Sequence, residues 1–419
     1  VSAVTIDAAT GCLLAGGARL FPIVLSNPPP PGGTAPSGRN GLAEVAAAGV
    51  SVIRTGNATW SAAQIDQQIA AERAVLDQAQ AHGLLAWLWT GSLTNLPARA
   101  GPANDQLLTE ITGALAGHPA LGAYKGVDEP ANSGVPAAAL TRGHARLKAL
   151  DAAHPLVIIQ APTGTVADLT PYVPAFDITG ADIYPVSYPP GIHGDGANHD
   201  LSVVGDTTKK MVAAAGGKPV WMTLQIAWSG SAPSQSDPAI VPRFPTLHDE
   251  RFMAYQAIVN GARGLNFFGG HLTQVTKPAD AAAGWNWTFW QLVLQPLVTE
   301  LTSTAVGPAL TAPNATAVVK SSASDVELVA RQTADFLYVI AVRRSATTTS
   351  VVTFSGLPLR HDGQPIGGGQ ALFEYVQDPP PPPIQAGEQT FRDVDVASGG
   401  FSDWFGPHDA RVYRFPLAG

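Results

Sequence analysis

The chain has 419 residues, of which 45 % are hydrophobic and 13 % charged, with a formal net charge of −8. That balance supports a large core and excludes disorder as the default state. The negative charge and the absence of a Lys/Arg block exclude nucleic acid as a partner. The longest apolar runs are strand-sized and broken by Gly or Pro, so no membrane span is expected.

The chain begins with Val1 rather than Met, which suggests a processed or trimmed N-terminus. Cys12 is the single cysteine, so an intrachain disulfide and a cysteine-based zinc site are excluded. Its small-residue surroundings read as a plain thiol rather than a nucleophile. Low Lys, abundant Ala, Gly and Pro, and few Cys fit a secreted or periplasmic protein.

Residues 20–25, 50–54, 84–89, 121–127, 156–160, 176–183, 219–225 and 264–268 are short apolar runs, as expected of strands covered on both faces. Ala-rich segments with helical spacing lie between them, at 62–81, 105–115, 136–152 and 248–260. Eight strands separated by crossovers, over roughly 250 residues, predict a (β/α)8 barrel. A doubly wound open sheet fits less well, because no glycine-rich phosphate loop follows the first strand.

From about residue 313 helical periodicity stops, and short strands are expected at 318–320, 326–330, 336–343, 350–354, 371–375 and 410–415. The expected organisation is therefore an α/β barrel over residues 1–312 and an all-β sandwich over 313–419. The proline runs 28–31 and 379–383 read as rigid connectors.

Active sites of such barrels lie at the C-terminal ends of the strands. Here those ends carry Arg54, Trp89, Asp128-Glu129-Pro130, Asp182 with Tyr184, Gln225 with Trp228, and His271. Aromatic faces stack on sugar rings, while carboxylates, amides and Arg bind hydroxyls, so the set suits an oligo- or polysaccharide. Breaking a glycosidic bond usually takes two carboxyl groups, one of them an acid with a raised pKa. Asp128 and Glu129 would point to opposite faces of a regular strand, and converge only if the strand ends there, as Pro130 makes plausible.

Each residue also has a purely structural reading. Asp128 could be a cap, Glu129 a loop carboxylate, Arg54 an ion-pair partner, and Asp182 an acceptor for backbone amides. One of Trp87 and Trp89 could be core. Asp249 and Glu250 follow Thr246 at a helix start, where capping explains them. His248 and His271 match no metal-ligand spacing, so neither a metal nor another cofactor is expected. Trp285, Trp287 and Trp290 could form either a sugar platform beyond strand eight or a buried cluster.

Residues 18–305 resemble the barrels of glycoside hydrolase clan A, and the trailing segment around Trp404 and Tyr413 resembles the β-domain often appended to them. The clan's acid is a Glu ending strand four in Asn-Glu-Pro; Asp128-Glu129-Pro130 matches it and implies Glu129 as general acid. Arg54 matches the arginine often found at the end of strand two. The clan's nucleophile is a Glu ending strand seven, where this chain has Gln225, and an amide cannot take that role.

The resemblance thus implies a glycosidase for a bacterial, plant or fungal glycan with a non-standard second group. Asp182 is the first choice, as the base of an inverting enzyme if the carboxyl groups stand far apart. Asp128 and Glu129 would alternatively serve a substrate-assisted reaction on 2-acetamido sugars, with Tyr184 or Gln225 on the acetamide. A third possibility is a carbohydrate-binding barrel without catalysis.

Overall fold

The computed structural model describes residues 3–98, 103–188, 194–226, 241–242, 244–269, 272–273, 275, 277–373 and 391–418. Eight parallel strands close into a barrel: β1 (Ile23–Leu25), β2 (Val52–Gly56), β3 (Leu85–Trp89), β4 (Leu121–Lys125), β5 (Leu156–Gln160), β6 (Ile178–Ile183), β7 (Val220–Gln225) and β8 (Ala262–Phe268). Each pairs with its neighbours in sequence, and β8 pairs with β1 to close the ring. The fold class is therefore the expected barrel followed by a β-rich region. Helices Ile65–Ala81, Ala103–Leu115, Ala137–Leu150 and Leu247–Val259 fall within three residues of their expected bounds.

The alternation along each strand sorts side chains into a helix-facing and a barrel-facing set. Val24, Val52, Trp87, Ala123, Val157, Ile178 and Trp221 fill the lower barrel. Trp87 and Trp221 meet edge to face, with centroids 6.1 Å apart. A Cβ on Gly264 would lie 2.7 Å from the Trp221 ring, so the glycine leaves the room that the indole fills. Above them Ser26, Asn266 and Thr223 join β1, β8 and β7 by hydrogen bonds of 2.9 and 3.0 Å.

One element was not anticipated. Three short antiparallel strands, Val4–Ile6, Leu13–Ala15 and Ala18–Leu20, form a meander ahead of the barrel. Their Val4 and Leu13 pack against the lower barrel residues and close its floor. Leu20, expected in the first barrel strand, belongs to this meander. Cys12 is fully buried, and its thiol donates to the Leu310 carbonyl at 3.7 Å.

Among the described residues the C-terminal region has eight strands: β9 (Lys320–Ser321), β10 (Val326–Gln332), β11 (Phe336–Arg343), β12 (Ser350–Ser355), β13 (Gly368–Leu372), β14 (Phe391–Asp395), β15 (Gly400–Phe405) and β16 (Ala410–Pro416). They form sheets ordered β9-β12-β15 and β10-β11-β16-β13-β14, which share a core including Val339, Phe354, Phe401 and Phe415. β14 and β15 were missed because buried Asp403 interrupts the apolar alternation of β15; Arg392 and the Tyr413 hydroxyl satisfy its carboxylate at 2.5 and 2.8 Å. The proline run 379–383 lies outside the described residues.

The other face of the five-stranded sheet, with Ile340, Val342 and Val412, joins the core around helix Leu247–Val259. In that helix Arg251 donates to both oxygens of Glu300 at 2.8–3.0 Å and to the Ala410 carbonyl at 2.6 Å. The Tyr255 hydroxyl donates to Glu300 at 2.7 Å. Thr246 and Asp249 form a capping box at the helix start, as expected. Glu250 is fully buried with neither carboxyl oxygen bonded among the described residues, and burial pushes its pKa well above the carboxylate range.

Candidate active site

The strand ends bring Arg54, Trp89, Lys125, Asp128, Glu129, Asp182, Tyr184 and Phe268 into one electrostatic and aromatic cluster. β4 ends at Lys125, two residues earlier than expected, and the chain leaves the regular strand before Asp128. Glu129 then adopts φ 44°, in the left-handed region. For a non-glycine residue such a conformation costs on the order of 1–3 kcal/mol and persists where the surroundings over-determine it. Those surroundings are visible: the Glu129 N–H donates to the Ile159 carbonyl at 2.9 Å, and the Ala131 N–H donates to the Gln160 side chain at 3.1 Å. The break from strand geometry is what lets the adjacent carboxylates Asp128 and Glu129 serve one site.

Asp182 points inward from β6 and interacts with the Glu129 carboxyl and the Tyr184 hydroxyl. Burial, then the charge of Glu129, push its carboxyl up to about 8. Its Oδ1 is buried and finds no hydrogen-bond donor among the described residues. Burial beside the charge of Glu129 thus favours the protonated form of Asp182. Tyr184 stacks on Phe268 with centroids 5.7 Å apart, and burial raises its phenol too.

Two cations face these acids. Lys125 is buried, donates to Asp128 Oδ1 at 2.5 Å, and lies 4.6 Å from the centroid of Trp89 and 5.7 Å from that of Trp87. Burial lowers its pKa while Asp128 holds it up. Arg54 sits 5.1 Å from the Trp89 centroid and 5.9 Å from that of Phe268. Gly56, at the end of the same strand, donates to buried Glu72 at 2.9 Å, which fixes the turn after Arg54.

Several expectations need correction. Gln225 is fully buried, and its carboxamide accepts from the Val186 N–H at 2.7 Å and donates to the Val186 carbonyl at 3.0 Å. It braces the segment after β6 and is not free for a sugar. Trp285, Trp287 and Trp290 are buried and pack on one another, so they are core and not a platform. Trp87 is core, whereas Trp89 is half-buried in the mouth with both cations near its ring. His248 meets the Pro407 carbonyl at 3.0 Å, at the contact with the C-terminal sheets. Trp228 and His271 lie outside the described residues.

Lys125 and Phe268 were not anticipated. Lys125 had a usable signal: a lysine inside an otherwise apolar strand of a barrel must point inward with a partner. The Gln225 bracing makes a prediction. Gln225→Glu places a carboxylate against the Val186 carbonyl, so it should cost about 1–3 kcal/mol in urea unfolding and yield no gain in aryl-glycoside hydrolysis.

No protein-family model and no curated protein sequence matches the chain. Solved structures do. A glycoside hydrolase aligns with a TM-score of 0.62 at 12 % identity, over 99 % of this chain and 97 % of its own. A glycoside hydrolase family 5 protein from Bacteroides vulgatus aligns with a TM-score of 0.62 at 11 % identity, covering 99 % and 92 %. A GH30 endoxylanase from Clostridium papyrosolvens aligns with a TM-score of 0.52 at 10 % identity, covering 99 % and 100 %. The chain shares the fold of clan A glycoside hydrolases, including the β-rich region after the barrel. At these identities the likeness is one of fold, and the chemistry has to come from the site.

Proposed function

We propose that the chain is a glycoside hydrolase in which Glu129 protonates the leaving oxygen, with the buried Asp182 carboxyl beside it as proton reserve. The buried, raised Asp182 carboxyl under the charge of Glu129 in the barrel mouth carries this reading. Acid catalysis needs a proton still held near neutral pH, and burial together with the charge of Glu129 keeps one on Asp182. Asp128, ion-paired with Lys125, is the remaining carboxyl group and serves as base or electrostatic partner. The substrate is an oligo- or polysaccharide.

A second reading is favoured by one observation. Retaining and inverting enzymes separate their carboxyl groups by roughly 5–5.5 and 6.5–9.5 Å, whereas Asp128 and Glu129 are neighbours in the turn after β4. That pair works on one side of the scissile bond, which suits a 2-acetamido sugar supplying its own nucleophile. A glycan panel scored by product NMR separates the readings. Cleavage confined to 2-acetamido sugars, with inhibition by a thiazoline mimic, selects the second; cleavage of no glycan at all leaves only a carbohydrate-binding barrel.

The raised Asp182 carboxyl also implies a pH dependence. Asp182 rises from an ordinary value of 3.8 to about 8 in the folded protein, so the folded state keeps a proton that the unfolded state has released. Its contribution to stability is complete below 3.8 and is lost progressively up to about 8. Thermal midpoints should therefore fall over that window, and Asp182→Asn should flatten the fall. The alkaline limb of kcat/KM should lie near 8 in the wild type and move to lower pH in Asp182→Asn. An unchanged limb would sink the role given to the pair.

A further inference from the structure

Arg54 stands in the barrel mouth without a hydrogen-bond or ion-pair partner among the described residues; its neighbours are rings and a more distant charge. The nearest carboxylate that influences it, Asp128, is already held by Lys125 at 2.5 Å. The Trp89 and Phe268 rings attract its charge without using any N–H donor. The residue is half-buried, and its nitrogens are not sealed from solvent as the unpartnered indole nitrogens of Trp87 and Trp89 are. A guanidinium cannot shed its charge to escape burial. Its donors are thus held in place, unspent, and open to whatever enters the mouth.

The mouth gives the unspent fork a charge rationale. Lys125 and Asp128 form an ion pair, and burial raises the Asp182 carboxyl so that its protonated form is favoured. Among the described residues of the mouth, Arg54 is therefore a cation with no hydrogen-bonded or ion-paired partner. Its planar donors match the two oxygens of a carboxylate, or an edge of a sulfate. We propose that Arg54 receives an anionic substituent of the sugar, a uronic acid carboxylate or a sulfate ester, and selects acidic over neutral glycans. This rests on the glycosidase reading above.

The test uses the full chain carrying Glu129→Gln, so that binding is measured without turnover. Calorimetric titration compares glucuronic and galacturonic acid oligomers, their carboxyl-reduced counterparts, and sulfated oligosaccharides of the same backbone. Charge-assisted hydrogen bonds predict that the acidic ligand binds roughly 10- to 100-fold tighter than its neutral counterpart. Adding Arg54→Met should bring the two within about twofold, and Arg54→Lys should restore only part of the preference because the fork is lost. The carboxylate and sulfate arms identify which anion is taken.

Equal binding of acidic and neutral sugars overturns the proposal, as does a preference that survives Arg54→Met. The comparison in Glu129→Gln stands even if the Arg54 variants fail to fold. If the wild type cleaves neutral glycans with no acidic preference, this inference fails and the glycosidase reading stands. If it cleaves nothing while Glu129→Gln selects uronates or sulfated sugars, the reverse holds.

Discussion

Glu129→Gln should lower kcat by about 10²–10⁴-fold, the usual contribution of a general acid, while ligand binding and the fold are retained. The amide keeps the size of the carboxyl and the backbone bond to Ile159, but it has no proton to give to a leaving alkoxide. The loss should be smallest on substrates with acidic leaving groups such as dinitrophenols, which depart without protonation. Full activity on a natural glycan would end the assignment. A companion variant, Glu129→Gly, separates chemistry from strain. It should be as inactive, yet more stable by about 1 kcal/mol, because glycine adopts a φ of 44° at little cost. A gain in stability coupled to a loss of turnover would mark the left-handed turn as a cost borne for function.

The largest stability effect is expected far from the mouth. Glu300→Ala should destabilise the protein by about 3–5 kcal/mol in denaturant unfolding, because Arg251 is left as an unpaired buried charge. Arg251 keeps its bond to the Ala410 carbonyl, and Tyr255 loses its acceptor. The double variant Arg251→Met/Glu300→Leu should recover most of that loss, since replacing both charges with apolar groups of similar volume removes the desolvation penalty. If the double variant is as unstable as the single one, packing rather than charge holds this contact.

The barrel strands were legible because burial on both faces makes each an uninterrupted apolar run, and in a barrel such runs end at the site. Arg54, Asp128, Glu129, Asp182 and Tyr184 stood out for that reason: each is polar where the run stops. What escaped depended on partners distant in sequence. Gln225 looked like a free amide at a strand end, and nothing local shows that the Val186 backbone consumes both its ends. Lys125 was absorbed into a run taken to continue through 127, because β4 ends two residues sooner than its composition suggests. The adjacency of Asp128 and Glu129 was visible, but the φ of 44° that lets them share a site is a property of the folded loop. The buried Asp403 hid β15 in the same way, by placing a polar group where alternation calls for an apolar one.

The meander at residues 4–20 has a consequence for the timing of assembly. Its Val4 and Leu13 bury against a set of side chains that runs from Val24 to Trp221. During synthesis these strands must therefore wait for nearly the whole barrel before their apolar face is covered. Contacts of such long sequence separation slow folding and prolong the exposure of unpaired strand edges. Removing the meander's apolar anchors, as in Leu13→Ser, should reduce refolding yield at high protein concentration more than it reduces the activity of the molecules that do fold.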